Sequence, residues 1–533
     1  MRRVLALQLR RDRVVLSVWI VAIAVTLAGS AATVASEFAT ASERTTVLSL
    51  SLATPSLLAL RGNPNGASAG SLLFFDVFTF LAVAFGLMNT FFATRHGRAD
   101  EEQGRRELIA ASPIRRSAPL VSTALLGLAA DAVLSLLSAL GFIAAGYGGA
   151  GAWVAAAALG AIGLCFLGIG MLAGELAATS RAANSIGVVA VLLAYALRAA
   201  GDALGTPHIA ALTLDPGWPS WLSPIGWGQQ TLAFTENRIW PVLLLLALAV
   251  AAGGTAFAVH ARRDLGASLL PERDGRAIAR RSLRSLLGLD WRLHWPSVLG
   301  WAVGAALLGV ATGALASAAD DLVAGNAQVL TVLEQLSPSG GVDTAGLFIE
   351  TVMIMIGMLA AAAGIQAVLR LRGEEAEGRA ELVLAAPVGR VRWLGDSLVV
   401  GAVATSSVAA AAGLAAALGF AATGHSVNGW HALGQAFAEL PAAVTMVAVA
   451  AVLIAVLPRI STLGSWVIFA AAIVIGLFGQ LLKLPQAVRD ASPFSHVPTV
   501  PFTDWGPSLV LTAVAFALAA VALVLVRRRD LST

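Results

Sequence analysis

Long apolar runs alternate with short polar segments along the whole chain, a pattern typical of a polytopic membrane protein. A helix needs about 20 mainly apolar residues to cross a bilayer. Backbone groups in lipid must pair within their own segment, and the ten-residue alternating runs of a barrel are absent, so the spans are predicted to be helices. The pattern therefore predicts an all-α fold of about twelve transmembrane helices. The predicted spans are 14–36, 71–93, 119–145, 152–179, 183–203, 240–260, 297–319, 347–369, 394–422, 441–457, 462–482 and 507–526.

The composition supports a lipid environment. The 533-residue chain is 58% hydrophobic and 12% charged, whereas a soluble domain carries about 25% charge. The pI near 10.1 does not require a nucleic-acid partner, because basic residues on the cytoplasmic side of a membrane protein raise it by themselves. The lone Cys165 excludes an intrachain disulfide and a Cys-rich metal site. Lys483 is the single lysine beside many arginines, which indicates a GC-rich genome and an expected actinobacterial source.

The basic residues also orient the spans. With the N-terminus inside, nearly all of the 35 Lys and Arg residues fall in cytoplasmic segments. An excess of Lys and Arg marks the cytoplasmic side. Both termini and the mid-chain connector are therefore predicted to be cytoplasmic, in the plasma membrane. The exceptions are Arg44, Arg61, Arg198, Arg238, Lys483 and Arg489.

The chain contains an internal repeat. Residues 98–116 and 372–390 align without a gap at an offset of 274, with nine of 19 positions identical. Most of the matches are polar loop positions, so shared hydrophobicity does not explain them. The identical positions are Arg98, Glu101, Gly104, Arg105, Glu107, Leu108, Ala111, Pro113 and Arg116, which match Arg372, Glu375, Gly378, Arg379, Glu381, Leu382, Ala385, Pro387 and Arg390.

Further repeated motifs divide the chain into two parallel six-span halves. The sequence RRDL follows span six at 262–265 and span twelve at 528–531. We predict a first half at 1–265, a connector at 266–295 and a second half at 296–533. In the connector, Ala277–Leu289 is predicted to form an amphipathic segment on the membrane surface, with a solvated linker as the alternative. The outer segments 37–70 and 320–346 are expected to carry short helices.

No motif for catalysis stands out. A P-loop requires a Gly-rich turn followed by Lys and Ser or Thr, and Lys483 lies in the unrelated sequence GQLLKL. The histidines show no metal-ligand spacing such as HExxH. The chain is therefore predicted not to be an enzyme, and to bind no cofactor or metal of its own.

The repeated loop is the most informative feature of the sequence. Gly104–Ala111 is predicted to form a short helix with Leu108 and Ala111 on one face and Arg105 and Glu107 toward water, ended by Pro113. A charged helix between two spans is suited to dock on a soluble partner and to transmit force. The alternative is an ordinary Arg-rich loop inherited by both halves.

Here the chain resembles the permease subunit of ABC-2-type exporters, in particular the fused twelve-span permeases of actinobacterial tetronasin-type polyketide-antibiotic exporters. The resemblance rests on the two copies of the loop motif and on Leu222-Ser223-Pro224 and Ala491-Ser492-Pro493-Phe494 before the last span of each half. It implies that loops 95–118 and 370–393 contact a separate ATPase, which would bind ATP and Mg²⁺.

The resemblance also implies roles for individual residues. The coupling set comprises Arg98, Glu101, Gly104, Arg105, Glu107, Leu108, Pro113, Arg116, Arg372, Glu375, Gly378, Arg379, Glu381, Leu382, Pro387 and Arg390. The stretches before span six would form re-entrant or extracellular caps, which include Ser223, Pro224, Ser492, Pro493 and Phe494. The halves depart from each other there, since Trp227-Gly228-Gln229 faces His496-Val497-Pro498.

Four acidic residues fall within predicted spans. Asp76 and Glu350 are related by the same offset of 274, while Asp131 and Glu175 have no acidic counterparts. Ionisable groups in spans usually face the bundle interior. Asp76, Glu350 and Asp131 are therefore candidates for the substrate pathway. The alternatives are a headgroup position for Asp76 and a structural hydrogen bond for Asp131, and Glu175 is expected to be hydrated near the inner interface.

Together these features predict the permease of an ATP-driven exporter for hydrophobic compounds such as antibiotics or drugs. Its partners would be two ATPase copies, the lipid bilayer and a hydrophobic small molecule, with no nucleic acid. The alternatives are export of a lipid or surface glycan, a secondary transporter with the same two six-span halves, and a non-transporting sensor or immunity protein.

The arginine asymmetry makes a topology prediction. In a Cys165→Ala background, single cysteines at the N-terminus, Ser268 and Ser532 should be shielded from membrane-impermeant thiol reagents in intact cells. Cysteines at Asn63 and Ser337 should be labelled. Ready labelling at Ser268 would contradict the arrangement in two six-span halves.

Overall fold

Helices make up almost all of the chain in the computed structural model. The structure describes residues 2–264, 266–270, 278, 280–324, 344–422, 426–478, 484–498 and 505–529, with the backbone alone at 2, 56, 110, 282, 313–324, 344–351, 422 and 426–428. The one sheet in this part of the chain is a two-stranded antiparallel hairpin of β1 (Thr206–His208) and β2 (Thr213–Asp215). The predicted all-α fold class is therefore confirmed.

The chain separates into two compact units, Met1–Gly275 and Arg276–Thr533. Unit 1 holds helices α1 (Arg2–Glu37), α2 (Ala41–Ala53), α3 (Pro55–Arg61), α4 (Ala69–His96), α5 (Arg98–Glu102), α6 (Arg105–Ala110), α7 (Ala118–Ala144), α8 (Ala150–Leu176), α9 (Ser180–Ala203), α10 (Pro224–Gln229) and α11 (Trp240–Arg262). A 3-10 turn at Trp218–Leu222 precedes α10. The boundaries 1–265, 266–295 and 296–533 stay a prediction.

Unit 2 repeats the order of long helices. It holds α12 (Leu286–Ala324), α13 (Thr344–Ala376), α14 (Arg379–Leu384), α15 (Arg390–Ala422), α16 (Ser426–Ala438), α17 (Leu440–Val456), α18 (Ser461–Phe478), α19 (Gln486–Arg489) and α20 (Gly506–Val526). Two 3-10 turns, Arg281–Arg284 and Pro493–His496, complete the described elements.

Eleven helices in the described residues are long and apolar enough to cross a membrane. The shorter apolar helix Ser461–Leu477 occupies the place of the eleventh predicted span. Burial separates central helices from peripheral ones. In the most apolar 18 residues of α4 and α8, 72% and 83% of the residues are buried. In those of α1 and α11 the share is 22%, so α4 and α8 form the centre of unit 1. In unit 2 the corresponding share for α13 is also 72%.

Small residues allow α8 to occupy this central place. A Cβ added at Gly170 would lie 2.9 Å from the Cα of Thr90 in α4, and one at Gly168 would lie 2.8 Å from the carbonyl oxygen of Ala249 in α11. Side chains at these positions would force the helices apart, so glycine sets the close packing on two sides of α8.

Two helices extend beyond the predicted spans. Helix α1 begins at Arg2, before the predicted start of its span at Val14, and α12 begins at Leu286, before the predicted start at 297. The stretch Ala277–Leu289 is not one surface helix in its described part, because a 3-10 turn at Arg281–Arg284 gives way to α12. Hydropathy marks the apolar part of a helix, and these helices extend beyond it through polar residues.

The outer segments hold short helices in part, as expected. Helices α2 and α3 fall within 37–70, while most of 320–346 lies outside the described residues. Asn63 is buried, so a cysteine there would report poorly on topology, and the exposed Ser42 is a better outer reporter. Ser337 and Ser532 lie outside the described residues.

A buried ion pair fixes the outer segment of unit 1. Arg198 and Asp202, one turn apart on α9, are fully buried and paired at 3.3 Å between Nη1 and Oδ2. Arg198 also donates to the carbonyl of Leu58 at 3.1 Å, and the Ser220 hydroxyl donates to Asp202 at 2.9 Å. The pair therefore joins α9 to α3 and to the turn before α10.

Breaking this pair should destabilise the protein. Arg198→Met leaves Asp202 buried without its cation, which is expected to cost roughly 3–5 kcal/mol. Arg238→Met is the control, because Arg238 pairs with Glu236 on the surface and an exposed pair contributes less than about 1 kcal/mol. The measurement is the melting temperature of the purified protein in detergent. Equal melting temperatures for the two variants would contradict this role for Arg198.

Candidate coupling site

The two copies of the repeated loop fold alike. In unit 1, Gly104 separates α5 from α6 with φ 66°, and in unit 2, Gly378 precedes α14 with φ 73°. Glycine adopts this left-handed conformation without steric cost. The matched glycines therefore make the turn that starts each short helix. The end of each unit that carries these loops is called the arginine-rich side below.

A buried carboxylate holds the first loop. Glu101 accepts from Arg98 at 3.0 Å, from Arg106 at 3.0 Å and from Arg263, beyond the end of α11, at 2.7 and 2.9 Å. The side chains of all four residues are nearly inaccessible. Buried charges are stable only when paired and hydrogen-bonded, so this cluster fixes the loop to the end of the last span of unit 1.

The cluster extends to α8. Glu175 contacts His260 at 3.0 Å between Oε1 and Nδ1, and Arg263 at 2.8 Å between Oε2 and Nε. The Arg116 guanidinium donates to the carbonyl oxygen of Arg263. Glu175 is buried, so the expectation that it is hydrated is wrong. Its two partners lie in the last turn of α11 and just beyond it, more than 80 residues along the chain, which local sequence does not reveal.

Unit 2 contains the matching cluster. Glu375 pairs with Arg372 at 3.0 Å and with Arg529 beyond the end of α20. Arg390 donates to the carbonyl oxygen of Arg529, as Arg116 does to that of Arg263. The RRDL sequences therefore supply the same contact in both halves through their second arginine. We call the two arrangements the Glu101 clasp and the Glu375 clasp.

The clasps divide the predicted coupling set. Arg98, Glu101, Arg372 and Glu375 serve internal contacts, with both glutamates inaccessible to a partner. Arg105 pairs with Asp100 at 2.8 Å and Arg379 with Glu374 at 2.6 Å, and both arginines remain partly exposed. The hydrogen bond with Glu374 raises the pKa of Arg379. The proline positions, Pro113 and Pro387, are exposed in the turns that follow α6 and α14.

An acidic–apolar pair is exposed on each loop. Glu107 and Glu381 are exposed, and in the part of the chain that the structure describes neither has an ion-pair partner. Leu108 is 77% exposed and Leu382 is 79% exposed. Leu108 was predicted to share a face with Ala111, and both residues are exposed. We call the two pairs the Glu-Leu pairs.

Further ion pairs join α1 to the first loop. Asp12 contacts Arg95 at 2.9 Å and His96 at 2.5 Å, and Arg11 pairs with Asp100. Sequence analysis missed these residues, since basic residues before a first span are read as a topology signal. They fix the N-terminal helix to the end of α4 on the arginine-rich side.

The predicted cap motifs also occupy matching places. The Ser223 hydroxyl donates to the carbonyl of Ala194 in α9 at 2.6 Å, and the Ser492 hydroxyl donates to that of Ala472 in α18 at 2.8 Å. Pro224 begins α10, whereas Pro493 and the buried Phe494 begin a 3-10 turn. Each motif therefore docks on the fifth span of its own unit. A capping role stays a prediction.

The candidate pathway residues are scattered. Asp76 pairs with Arg61 at 3.2 Å and both are partly exposed. Asp131 is buried in unit 1 and accepts from the Asn89 amide at 2.8 Å. Glu350 lies in α13, in a part described by its backbone alone. A pathway role for the three stays a prediction.

These features define a multi-pass membrane protein in which each of the two units bears the same loop motif. The chain is 33% identical to the "Multidrug efflux system permease protein Rv1217c" of Mycobacterium tuberculosis (strain ATCC 25618 / H37Rv), over 99% of this chain and 94% of the relative. Residues 283–527 match the family described as "Multidrug efflux system permease Rv1217c, C-terminal domain". The chain therefore belongs to the family of multidrug efflux system permeases, and the resemblance to an exporter permease is confirmed.

The Glu101 clasp makes a testable prediction. Glu101→Gln leaves Arg98 and Arg106 without a carboxylate and Arg263 with Glu175 as its remaining partner, which should weaken the loop by roughly 3 kcal/mol. Amide hydrogen exchange across 98–117 should then accelerate about a hundredfold in the purified protein.

Glu107→Gln is the matched control, because it removes a charge from the same loop without breaking a contact among the described residues. The clasp would not hold the loop if the two variants exchanged at the same rate.

Proposed function

We propose that this chain is the membrane-spanning permease of an ATP-driven drug exporter. Two copies of a separate ABC ATPase would bind the cytoplasmic loops 95–118 and 370–393, and ATP and Mg²⁺ would bind to that partner. The arginine-rich side would face the cytoplasm, with both termini. The relative of M. tuberculosis bears the name of a multidrug efflux permease, which supports a hydrophobic drug as the substrate.

The observation that carries the proposal is the pair of exposed Glu-Leu pairs on loops that are otherwise fixed. An exposed leucine buried by a partner contributes about 1.5–3 kcal/mol, and an adjacent carboxylate selects a basic partner surface. Both pairs occur at the same position of the repeat, which suits two identical partner subunits.

The clasps supply the mechanical part of the proposal. Force on α6 would pass through Glu101 to Arg263 at the end of α11, and force on α14 would pass through Glu375 to Arg529 at the end of α20. The loops also connect α4 with α7 and α13 with α15, so a partner's movement would reach several spans in each unit. The alternatives of lipid or glycan export and of secondary transport gain no support from these features.

Reversing the charge of both glutamates should weaken coupling. Glu107→Arg with Glu381→Arg places two cations against a basic partner surface, while both positions are exposed and the permease should still fold. Loss of a desolvated pair costs roughly 3–5 kcal/mol. The measurements are co-purification with an ABC ATPase subunit from the same organism, and drug-stimulated ATP hydrolysis in lipid.

Glu37→Arg is the control. It also reverses an exposed charge, at the C-terminal end of α1, which is the end away from the first loop. Full assembly and full stimulation in the double variant would show that the glutamates are ordinary solvated charges. A wild-type permease that never co-purifies with an ATPase would overturn the proposed function.

A further inference from the structure

A cationic cavity lies beside the first loop, in unit 1. Its volume is about 400 Å³, and its walls combine the arginines Arg106, Arg115 and Arg116 with the apolar side chains Ile109, Ile114 and Pro119. Asp264 completes the lining and is itself exposed. The cavity therefore presents more positive than negative charge, next to an apolar wall.

Arg106 is the residue that indicates a ligand. It is 3% exposed, and its Nη1 donates to Glu101 at 3.0 Å. Its Nε and Nη2 are buried and have no hydrogen-bond partner among the described residues. Burial lowers the pKa of Arg106, and the nearby Glu101 carboxylate partly counteracts this lowering. The guanidinium nevertheless stays charged at neutral pH. Buried charged donors without an acceptor are costly, so this guanidinium is suited to an anion.

The place of the cavity indicates which anion. Pro119 belongs to the first turn of α7, a helix that is long and apolar enough to span the membrane. The cavity is therefore level with the start of a span, where headgroups meet the hydrocarbon region. Ile109 and Ile114 provide the apolar surface that a glycerol backbone and the start of an acyl chain require, and a water-soluble anion has no need of it.

The described residues of unit 2 do not supply the same set of arginines. At the same offset of 274, Arg106 and Arg115 are replaced by Ala380 and Gly389. The cavity nearest to Ala380 has a volume of only about 50 Å³ and contains Asp290 and Glu374. An anion would therefore find its partners in unit 1 and would meet negative charge in unit 2.

We propose that the cavity binds the phosphate of an anionic phospholipid from the leaflet on the arginine-rich side. The unpartnered Nε and Nη2 of Arg106 and the Arg115 guanidinium hold the phosphate oxygens, which match the fork of an arginine. The acyl chains leave along Ile109 and Ile114 toward the bilayer. Because Arg106 also holds Glu101, the bound phosphate tightens the Glu101 clasp and has no counterpart at the Glu375 clasp.

The test titrates the purified full-length protein in detergent with phosphatidylglycerol or phosphatidylcholine and counts bound lipids by native mass spectrometry. The wild type should bind one phosphatidylglycerol tightly and phosphatidylcholine much more weakly. Arg106→Gln and Arg115→Gln should each weaken the tight site about tenfold, the factor that corresponds to about 1.4 kcal/mol. Arg181→Gln is the control, an exposed arginine on the same side that lies away from the cavity.

Arg115 is exposed, so its variant tests the site even where Arg106→Gln disturbs the loop. Equal phosphatidylglycerol binding in the Arg115→Gln protein and the wild type would overturn the proposal. Displacement of the lipid by an equal concentration of inorganic phosphate would show a site for free phosphate, which also overturns the lipid as its source. Unchanged lipid binding with lost ATPase co-purification would assign the cavity to a protein interface instead.

Discussion

A buried carboxylate that pairs with arginines from two parts of the chain is the constraint on which the arginine-rich side of each unit depends. Glu101 and Glu375 each join a loop to an arginine beyond the last span of their unit. Removal of either partner would leave a bare charge in a site of low polarity, so the two parts must stay together. The short helices α6 and α14 lack enough residues to be stable alone, and the clasps supply the order that length does not.

The same constraint explains which charges remain for other tasks. Arg98 and Glu101 are used within the molecule, and the residues left exposed on the first loop include Glu107, Leu108 and Arg115. The loop therefore contains two kinds of residue, those that hold it in place and those that it exposes. The repeat preserves Glu107 and Leu108 and replaces Arg115.

The sequence predicted the helical class, the order of the spans and the equivalence of the two loops, because hydropathy and an ungapped repeat are local signals. It did not predict that Glu101 is buried, since its partner Arg263 lies 162 positions away and pairing at that distance leaves no local pattern. Glu175 was misjudged for the same reason. Amphipathic spacing assigned Leu108 to one face of a short helix, and it could not show that this face is exposed in the unit. The sequence shows that RRDL recurs after the last span of each half, but it does not show that the second arginine of this motif contacts the loop.

The replacement of Arg106 and Arg115 by Ala380 and Gly389 has an evolutionary consequence. In a homodimer of half-length subunits, one gene encodes the arginine-rich side of both subunits. Each substitution therefore appears in both copies, and both copies must function with it. Fusion of the two copies into one reading frame removes that restriction. One face is then free to gain a new specialisation while the other retains the ancestral contact. Both clasps keep the glutamate and the arginine beyond the last span, which indicates what both units still need, and the unequal cavities indicate where the two units diverged.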